Sequence, residues 1–353
     1  MVMKTQKTVL AFLLTLCMIL TLAGCASPAQ PAASNGSAAA PAESETYEWS
    51  FGMGGTEETL NYKGAEKFKE LIEARSEGRV KVNLYANSSL GSTAEMMEGH
   101  INGTIALLTG VTSMLPPYVP GYALFDLPNA FPDIETMRAF LTSDFCDLLN
   151  EKYAESGGFV MLGFCDAGFR QLTANKPIHA VADMKGIKIR TQENKYHLAY
   201  WNALGANAIA MDWSELYTNL QQGVVDAEEN PYMNFYDTKL YEVQKYIMES
   251  NHVGHIMTFS MSTSVYNSLP ADIRKMVDDC MAESMEYIVG LSDASLQDYK
   301  KACMDEGVTI IPMEPEVLAQ MQEMASPVYD MVRKDIGDEI VDEFLAAIDK
   351  VKK

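Results

Sequence analysis

From Tyr47 onward two periodicities alternate along the chain. Tyr47–Met53 is a short strand-like run ending in Gly54-Gly55, and Glu57–Ser76 repeats apolar residues at helical spacing (Leu60, Phe68, Leu71, Ile72) until Gly78 stops it. Val80–Tyr85 then alternates, with Val80, Val82 and Leu84 on one side. Strand, helix, strand is the unit of a mostly parallel sheet. Thr93–Asn102 predicts a helix, Thr104–Thr109 a third strand, and the proline-rich stretch Leu115–Pro132 a loop. Further on, the pattern predicts a helix over Ile134–Glu155, strands at Phe159–Cys165 and Ile187–Arg190, and a helix over Asn194–Leu204. Glu242–Ser250 and His255–Ser264 read as extended, Ala271 to about Glu306 as one long helix, and Val308–Ile311 as a last strand. Glu314–Lys353 is helical and charged, the pattern of an exposed face.

The run Gly205–Pro231 stands apart, because within it the pattern changes character several times. It reads as a short strand, a helix at Ser214–Gln222 ended by Gly223, a strand at Val224–Val225, and then Glu229-Asn230-Pro231. Such a segment delivers side chains from several turns toward one region, which is how a pocket is built. Pro231 excludes the helical region for Asn230 and so fixes the direction of its amide. Arg190 closes a strand whose alternation (Ile187, Ile189) buries one face, and a guanidinium in that position calls for a planar anion such as a carboxylate.

The first residues change the picture of where the protein works. Lys4 and Lys7 precede the apolar stretch Val9–Leu20, too short to span a bilayer comfortably, and Leu22-Ala23-Gly24-Cys25 follows. Residues 1–25 therefore read as a secretory signal. Its end resembles the bacterial lipobox, in which Cys25 would become the lipidated first residue; an ordinary signal peptide with an incidental Cys25 is the alternative. Residues 26–46, rich in Ala, Ser and Pro, predict a flexible tether. Lipid, tether and folded body in that order place the protein on the outer face of the cytoplasmic membrane, anchored by lipid only. Loss of the two leader lysines takes the net charge from −21 to −23. So acidic a surface argues against nucleic acid and gives no long-range steering of an anion, which would need a locally basic pocket. Of six cysteines, Cys146, Cys165, Cys280 and Cys303 would remain in the folded body without a CxxC pair. Two disulfides are open to them, with three possible pairings, but small buried thiols are the expected state.

Arg190 and Arg170 are the best candidates for the chemistry, since a guanidinium grips a carboxylate bidentately; structural salt bridges are the competing reading. Asn230 can donate to the same anion, although Asn-Pro is also a common turn starter. Trp213 and Phe169 fit an apolar wall or core packing equally well. Glu215 fits a partner holding an arginine. Signals for catalysis are poor: there is no G-x-S-x-G and no phosphate-cradling glycine loop. In an extended stretch His252 and His255 would point to opposite faces, which does not suit a shared metal. Neither an enzyme nor a cofactor or metal is expected.

Gly168-Phe169-Arg170-Gln171-Leu172-Thr173, Asp183-Met184-Lys185-Gly186-Ile187-Lys188-Ile189-Arg190 and Gly223-Val224-Val225-Asp226-Ala227-Glu228-Glu229-Asn230-Pro231, with Lys176-Pro177-Ile178 and Glu242-Val243-Gln244-Lys245-Tyr246, resemble the TRAP-transporter solute-binding proteins of the DctP-like family. The match spans nearly all of the body from Tyr47. It implies an α/β, two-lobed periplasmic-binding-protein-like fold with mixed sheets, crossing hinge strands and a long bracing helix. The lobes are expected at 47–167 plus 256–295 and at 168–255 plus 296–353. The resemblance also implies that Arg190 grips a ligand carboxylate, that Arg170 and Asn230 assist, and that Trp213 occupies an aromatic pocket position. Ala227 and Asp212 depart from the usual residues, and Gly54, Thr93 and Val111 replace those of sialate-binding relatives, which argues against sialic acid. The expected partners are a small organic acid and the TRAP permease subunits; the alternative is a ligand-sensing subunit docking on a receptor kinase.

Overall fold

A computed structural model describes residues 45–352 of the protein. The expected signal, Cys25 and all of the tether before Glu45 lie outside the described residues. The described strands, in chain order, are β1 (Tyr47–Gly52), β2 (Val80–Tyr85), β3 (Leu107–Val111), β4 (Phe159–Phe169), β5 (Gln171–Ala174), β6 (Lys188–Thr191), β7 (Asn207–Ala210), β8 (Ala227–Asn230), β9 (Tyr246–Glu249), β10 (Gly254–Ser262) and β11 (Thr309–Pro312). They form two mixed sheets, ordered β2-β1-β3-β10-β4 and β11-β9-β5-β8-β6-β7.

The expected strand–helix–strand unit opens the first sheet. Helix Leu60–Arg75 connects β1 to β2, which pair in parallel from Tyr47 opposite Val80 to Gly52 opposite Tyr85. Phe51, Phe68, Val82 and Phe259 are buried in the core beneath. β10 runs antiparallel to both β3 and β4, which makes the sheet mixed. In the second sheet β6 is parallel to β7 and β8, whereas β5 is antiparallel to β8 and β9.

Two short passages carry the chain between the sheets, one from β4 through Arg170 into β5 and one from β9 through residues 250–253 into β10, and helix Ala271–Asp305 makes a third, long passage from β10 to β11. The two short passages are tied together: the Arg170 amide donates to the Val253 carbonyl at 2.9 Å and the Leu172 amide to Ser250 Oγ at 3.1 Å. Helix Ala271–Asp305 braces both sheets. Ile273, Val277, Cys280, Met281 and Ile288 sit in the core of the first sheet, and Cys303 packs with Leu240, Ile247 and Val308 at the second.

Several sequence expectations need correction. The helix expected over Ile134–Glu155 is two helices, Ile134–Leu141 and Asp144–Ala154. Thr142 and Ser143 break it because their hydroxyls donate to the Arg138 and Phe140 carbonyls, and Ser143 Oγ also accepts from the Cys146 amide. The strand expected at Val224–Val225 lies later, at Ala227–Asn230, because Gly223 at φ +68° ends the preceding helix and Val224 is exposed. That shift puts Glu228, Glu229 and Asn230 on a central strand. Glu242–Ser250 is extended only from Tyr246, and the third strand begins at Leu107. The carboxy-terminal stretch is not merely an exposed face. Its last helix, Asp338–Val351, buries Ile340, Val341, Phe344, Ala347 and Ile348, and the Phe344 ring lies edge-on to Phe140 of helix Ile134–Leu141 at 5.0 Å. Cys146, Cys165, Cys280 and Cys303 are free and buried, as expected of small apolar thiols.

Candidate functional site

Between the two sheets lies a cavity of about 360 Å³. Gly54, Thr93 and residues 109–111 bound it on the first-sheet side, Arg190, residues 211–213 and Asn230 on the second, and His255 at the crossing. The two sides touch around it. The Thr93 amide donates to Asp212 Oδ2 at 3.0 Å, and Asn194 Nδ2 donates to the Ser113 carbonyl at 2.7 Å. A Cβ added at Gly54 would come within 3.3 Å of the Trp213 ring, so the indole lies close against the backbone of the opposite wall.

Arg190 stands on β6, whose register with β7 sets Arg190 opposite Ile209. The guanidinium is 1% exposed, with Nε and Nη2 both donating to the Met211 carbonyl at 3.0 and 2.8 Å. One carbonyl therefore fixes one edge of the fork. Nη1 is buried without a hydrogen-bond partner on the protein, and the Trp213 ring lies 5.9 Å from the guanidinium carbon. Desolvation lowers the Arg190 pKa to about 10, with Glu229 pulling it up and Arg170 pushing it down, so the group is cationic at neutral pH.

His255 supplies a second donor, one that sequence reasoning missed. Its Nδ1 lies 2.6 Å from Arg170 Nη1. A guanidinium only donates, so Nδ1 accepts, and in a neutral imidazole the proton then sits on Nε2. Burial, with the Arg170 charge adding to it, holds the His255 pKa well below its usual value, which keeps the ring neutral. Nε2 is buried and has no protein partner. Two N–H groups, one charged and one neutral, are thus left over at the same cavity. Asn230 adds to them: its Oδ1 accepts from Arg170 Nη2 at 3.2 Å and its Nδ2 donates one proton to Glu228, leaving the other amide proton uncommitted.

Arg170 is placed differently from the expectation of a direct grip. It is buried behind the cavity, and its Nε and Nη2 bind the Glu229 carboxylate. Glu229 in turn accepts from His252 Nε2 at 3.0 Å and lies 3.6 Å from His197 Nδ1, while His197 Nε2 meets Asp126 at 3.0 Å. Burial alone would raise the Glu229 pKa, but Arg170 and the two histidines hold it well below the usual carboxylate range. Burial alone would lower the His197 pKa, but Asp126 and Glu229 outweigh it and raise it to about 9. Arg170 therefore acts as a positioning residue, fixing the His255 tautomer and the Asn230 amide.

The other expected residues divide. Trp213 lines the cavity; Phe169 is not on the lining and packs against the apolar core. Glu215 is exposed and also off the lining, and Glu229 fills the arginine-holding role expected of it. His252 and His255 do not face apart: they engage the two partners of one ion pair, His252 on Glu229 and His255 on Arg170. The signal available in the sequence was the acid pair Glu228-Glu229 directly before Asn230-Pro231.

Two mixed sheets joined by paired crossings and a long helix, with a polar-ended cavity between them, define a binding protein of the two-lobed type. The comparisons then make the family plain. Residues 51–335 match the family described as bacterial extracellular solute-binding protein, family 7, DctP. The chain belongs to that family, the solute-binding proteins of TRAP transporters. It is 35% identical over 292 residues to the C4-dicarboxylate-binding periplasmic protein DctP of Rhodobacter capsulatus, covering 82% of this chain and 87% of that one. Its fold is similar to that of the sugar acid binding protein DctPAm of Advenella mimigardefordensis, solved with galactonate. The TM-score is 0.84 and the identity 28%, with 87% of this chain and 99% of that one covered. A TRAP periplasmic solute-binding protein of Shewanella oneidensis with bound succinate superposes with a TM-score of 0.82 at 28% identity, covering 86% and 99%. These likenesses are to transport proteins and lend nothing to the receptor-kinase alternative.

Proposed function

We propose that this protein captures a small carboxylate-bearing organic acid between its two sheets and hands it to a TRAP membrane permease. The observation that carries the reading is the pair of buried donors, Arg190 Nη1 and His255 Nε2, left without protein partners at one cavity. A buried N–H that finds no acceptor is costly, and a carboxylate offers acceptors to both. In this reading Arg190 and His255 bind the carboxylate, Asn230 assists, and Trp213 covers the ligand. Closure of the two lobes, taken as 47–167 plus 256–295 and 168–255 plus 296–353, excludes water from the pair. The relatives that bind succinate and galactonate support the ligand class. The protein works outside the cytoplasm, held to the membrane through lipid on Cys25.

Isothermal titration with the acid that native mass spectrometry finds on the purified protein tests the site. Arg190→Ala is expected to weaken binding well over tenfold, corresponding to a charge-assisted hydrogen bond of roughly 1.5–3 kcal/mol together with the lost ion pairing. Near-wild-type affinity in that variant overturns the clamp. Cys25→Ala is expected to release the protein from the membrane fraction, and retention there overturns the anchor.

A further inference from the structure

Resting on the carboxylate reading above, we infer that the ligand carries a single carboxylate and an otherwise uncharged body, and that the cavity discriminates against dicarboxylates. The evidence is the count and placement of charge around the cavity. Among the described residues that line it, Arg190 is the one Lys or Arg, while Asp212 and Glu193 are acidic. Arg170, the next cation, is committed to Glu229. The positive charge available at the cavity therefore matches one carboxylate.

A second carboxylate would have to reach toward the first-sheet wall, and that wall provides no counter-charge. It is apolar at Met96, Leu108, Val111 and Met114, and its polar side chains, Thr59, Asn61, Thr93, Thr109 and Tyr118, are uncharged. Among them, Asn61 already donates to Thr109 Oγ1 at 2.6 Å and Thr59 Oγ1 to the Thr56 carbonyl at 2.7 Å. Helix N-termini are a further source of positive potential, and the one at Thr93, on the cavity lining, is already occupied by carboxylates. At helix Thr93–Ile101, Asp212 accepts from the Thr93 amide at 3.0 Å and Glu95 accepts from the Ser92 amide at 2.7 Å.

Asp212 is the specificity-determining residue in this account. Its Oδ1 is held by the Ser214 amide at 3.0 Å and hydroxyl at 2.6 Å, so both of its oxygens are fixed in place. Burial would raise its pKa, but these hydrogen bonds outweigh burial and lower it, keeping a negative charge beside Arg190 and Trp213. A ligand's second carboxylate would enter a water-poor space facing a like charge with no cation of its own. One carboxylate on Arg190 meets neither obstacle.

The test uses a library of small carboxylates arranged in matched pairs that differ by one acid group, such as threonate and tartrate, galactonate and galactarate, and succinamate and succinate. Thermal shift ranks them and isothermal titration measures the pairs that respond. The expected result is that in every responding pair the monocarboxylate binds at least tenfold more tightly. Equal or tighter binding of the dicarboxylate overturns the inference while leaving the Arg190 clamp standing. Failure of every member to bind overturns the carboxylate reading and this inference with it. Asp212→Asn is expected to narrow the ratio severalfold by raising dicarboxylate affinity. An unchanged ratio in a D212N protein that melts like the wild type overturns the part assigned to Asp212.

Discussion

Replacing Glu229 by Gln keeps the side chain's size and one acceptor oxygen but removes the negative charge at the centre of the buried network. Arg170 would lose its counter-charge, His252 would meet a weaker acceptor, and protonated His197 would keep only Asp126. Breaking a buried ion pair from one side costs about 3–5 kcal/mol, because the remaining charge stays desolvated. Unfolding entropy of about 2.1 cal/mol/K per residue gives a body of roughly 300 residues about 0.6 kcal/mol/K, so the melting temperature should fall by roughly 5–8 °C. Scanning calorimetry at neutral pH reads this directly. The double variant Arg170→Met with Glu229→Gln should be less damaging than the two single effects added together, since the first substitution removes the charge that the second leaves stranded. Binding should weaken as well, because Arg170 sets the His255 tautomer and the Asn230 amide. An E229Q protein that melts within about a degree of the wild type, or strictly additive single effects, would refute the network as the element that fixes the crossing.

His255→Phe removes the Nε2 donor and is expected to weaken binding of the acid on the order of tenfold, the equivalent of one hydrogen bond to a charged acceptor; titration showing unchanged affinity removes His255 from the clamp. Stability should fall as pH rises from about 6.5 to about 9, because His197 binds its proton more tightly folded than unfolded. That contribution, about 3 kcal/mol at one pKa unit per 1.36 kcal/mol, is fully present below pH 6.5 and lost above 9. Glu228, raised by burial to about 7, loses stability in the same direction at lower pH, from about 4.5 to 7. Between about pH 7 and 9, above the region where the depressed pKa values of His100, His252 and His255 make stability rise with pH, melting curves should slope downward in the wild type and flatten in His197→Gln; an equal slope in both assigns the loss elsewhere. Phe344→Ala should destabilise by about 3–5 kcal/mol, since its ring packs against Phe125, Phe131 and Phe140; a loss under about 1 kcal/mol in urea titration would mean that the last helix is not part of the core.

Sequence by itself determined the local architecture, because periodicity and steric rules act between near neighbours. The βαβ opening at Tyr47–Tyr85, the long helix from Ala271, the buried strand that carries Arg190 and the extended Asn230 before Pro231 all follow from such rules. It also brought the candidate residues down to a short set that includes both arginines. What it could not decide was which arginine is free and which is occupied. That depends on the antiparallel register of β5 on β8, which sets Leu172 opposite Glu229 and so brings Arg170 to a carboxylate 59 residues away. A different pairing, β10 antiparallel on β4 with Gly254 opposite Phe169, carries His255 to Arg170 across 85 residues, and the contact fixes which ring nitrogen bears the proton. Charge compensation is a property of distances in space, so the identity of the unpaired donors, and with it the site, appeared only once the sheets were assembled.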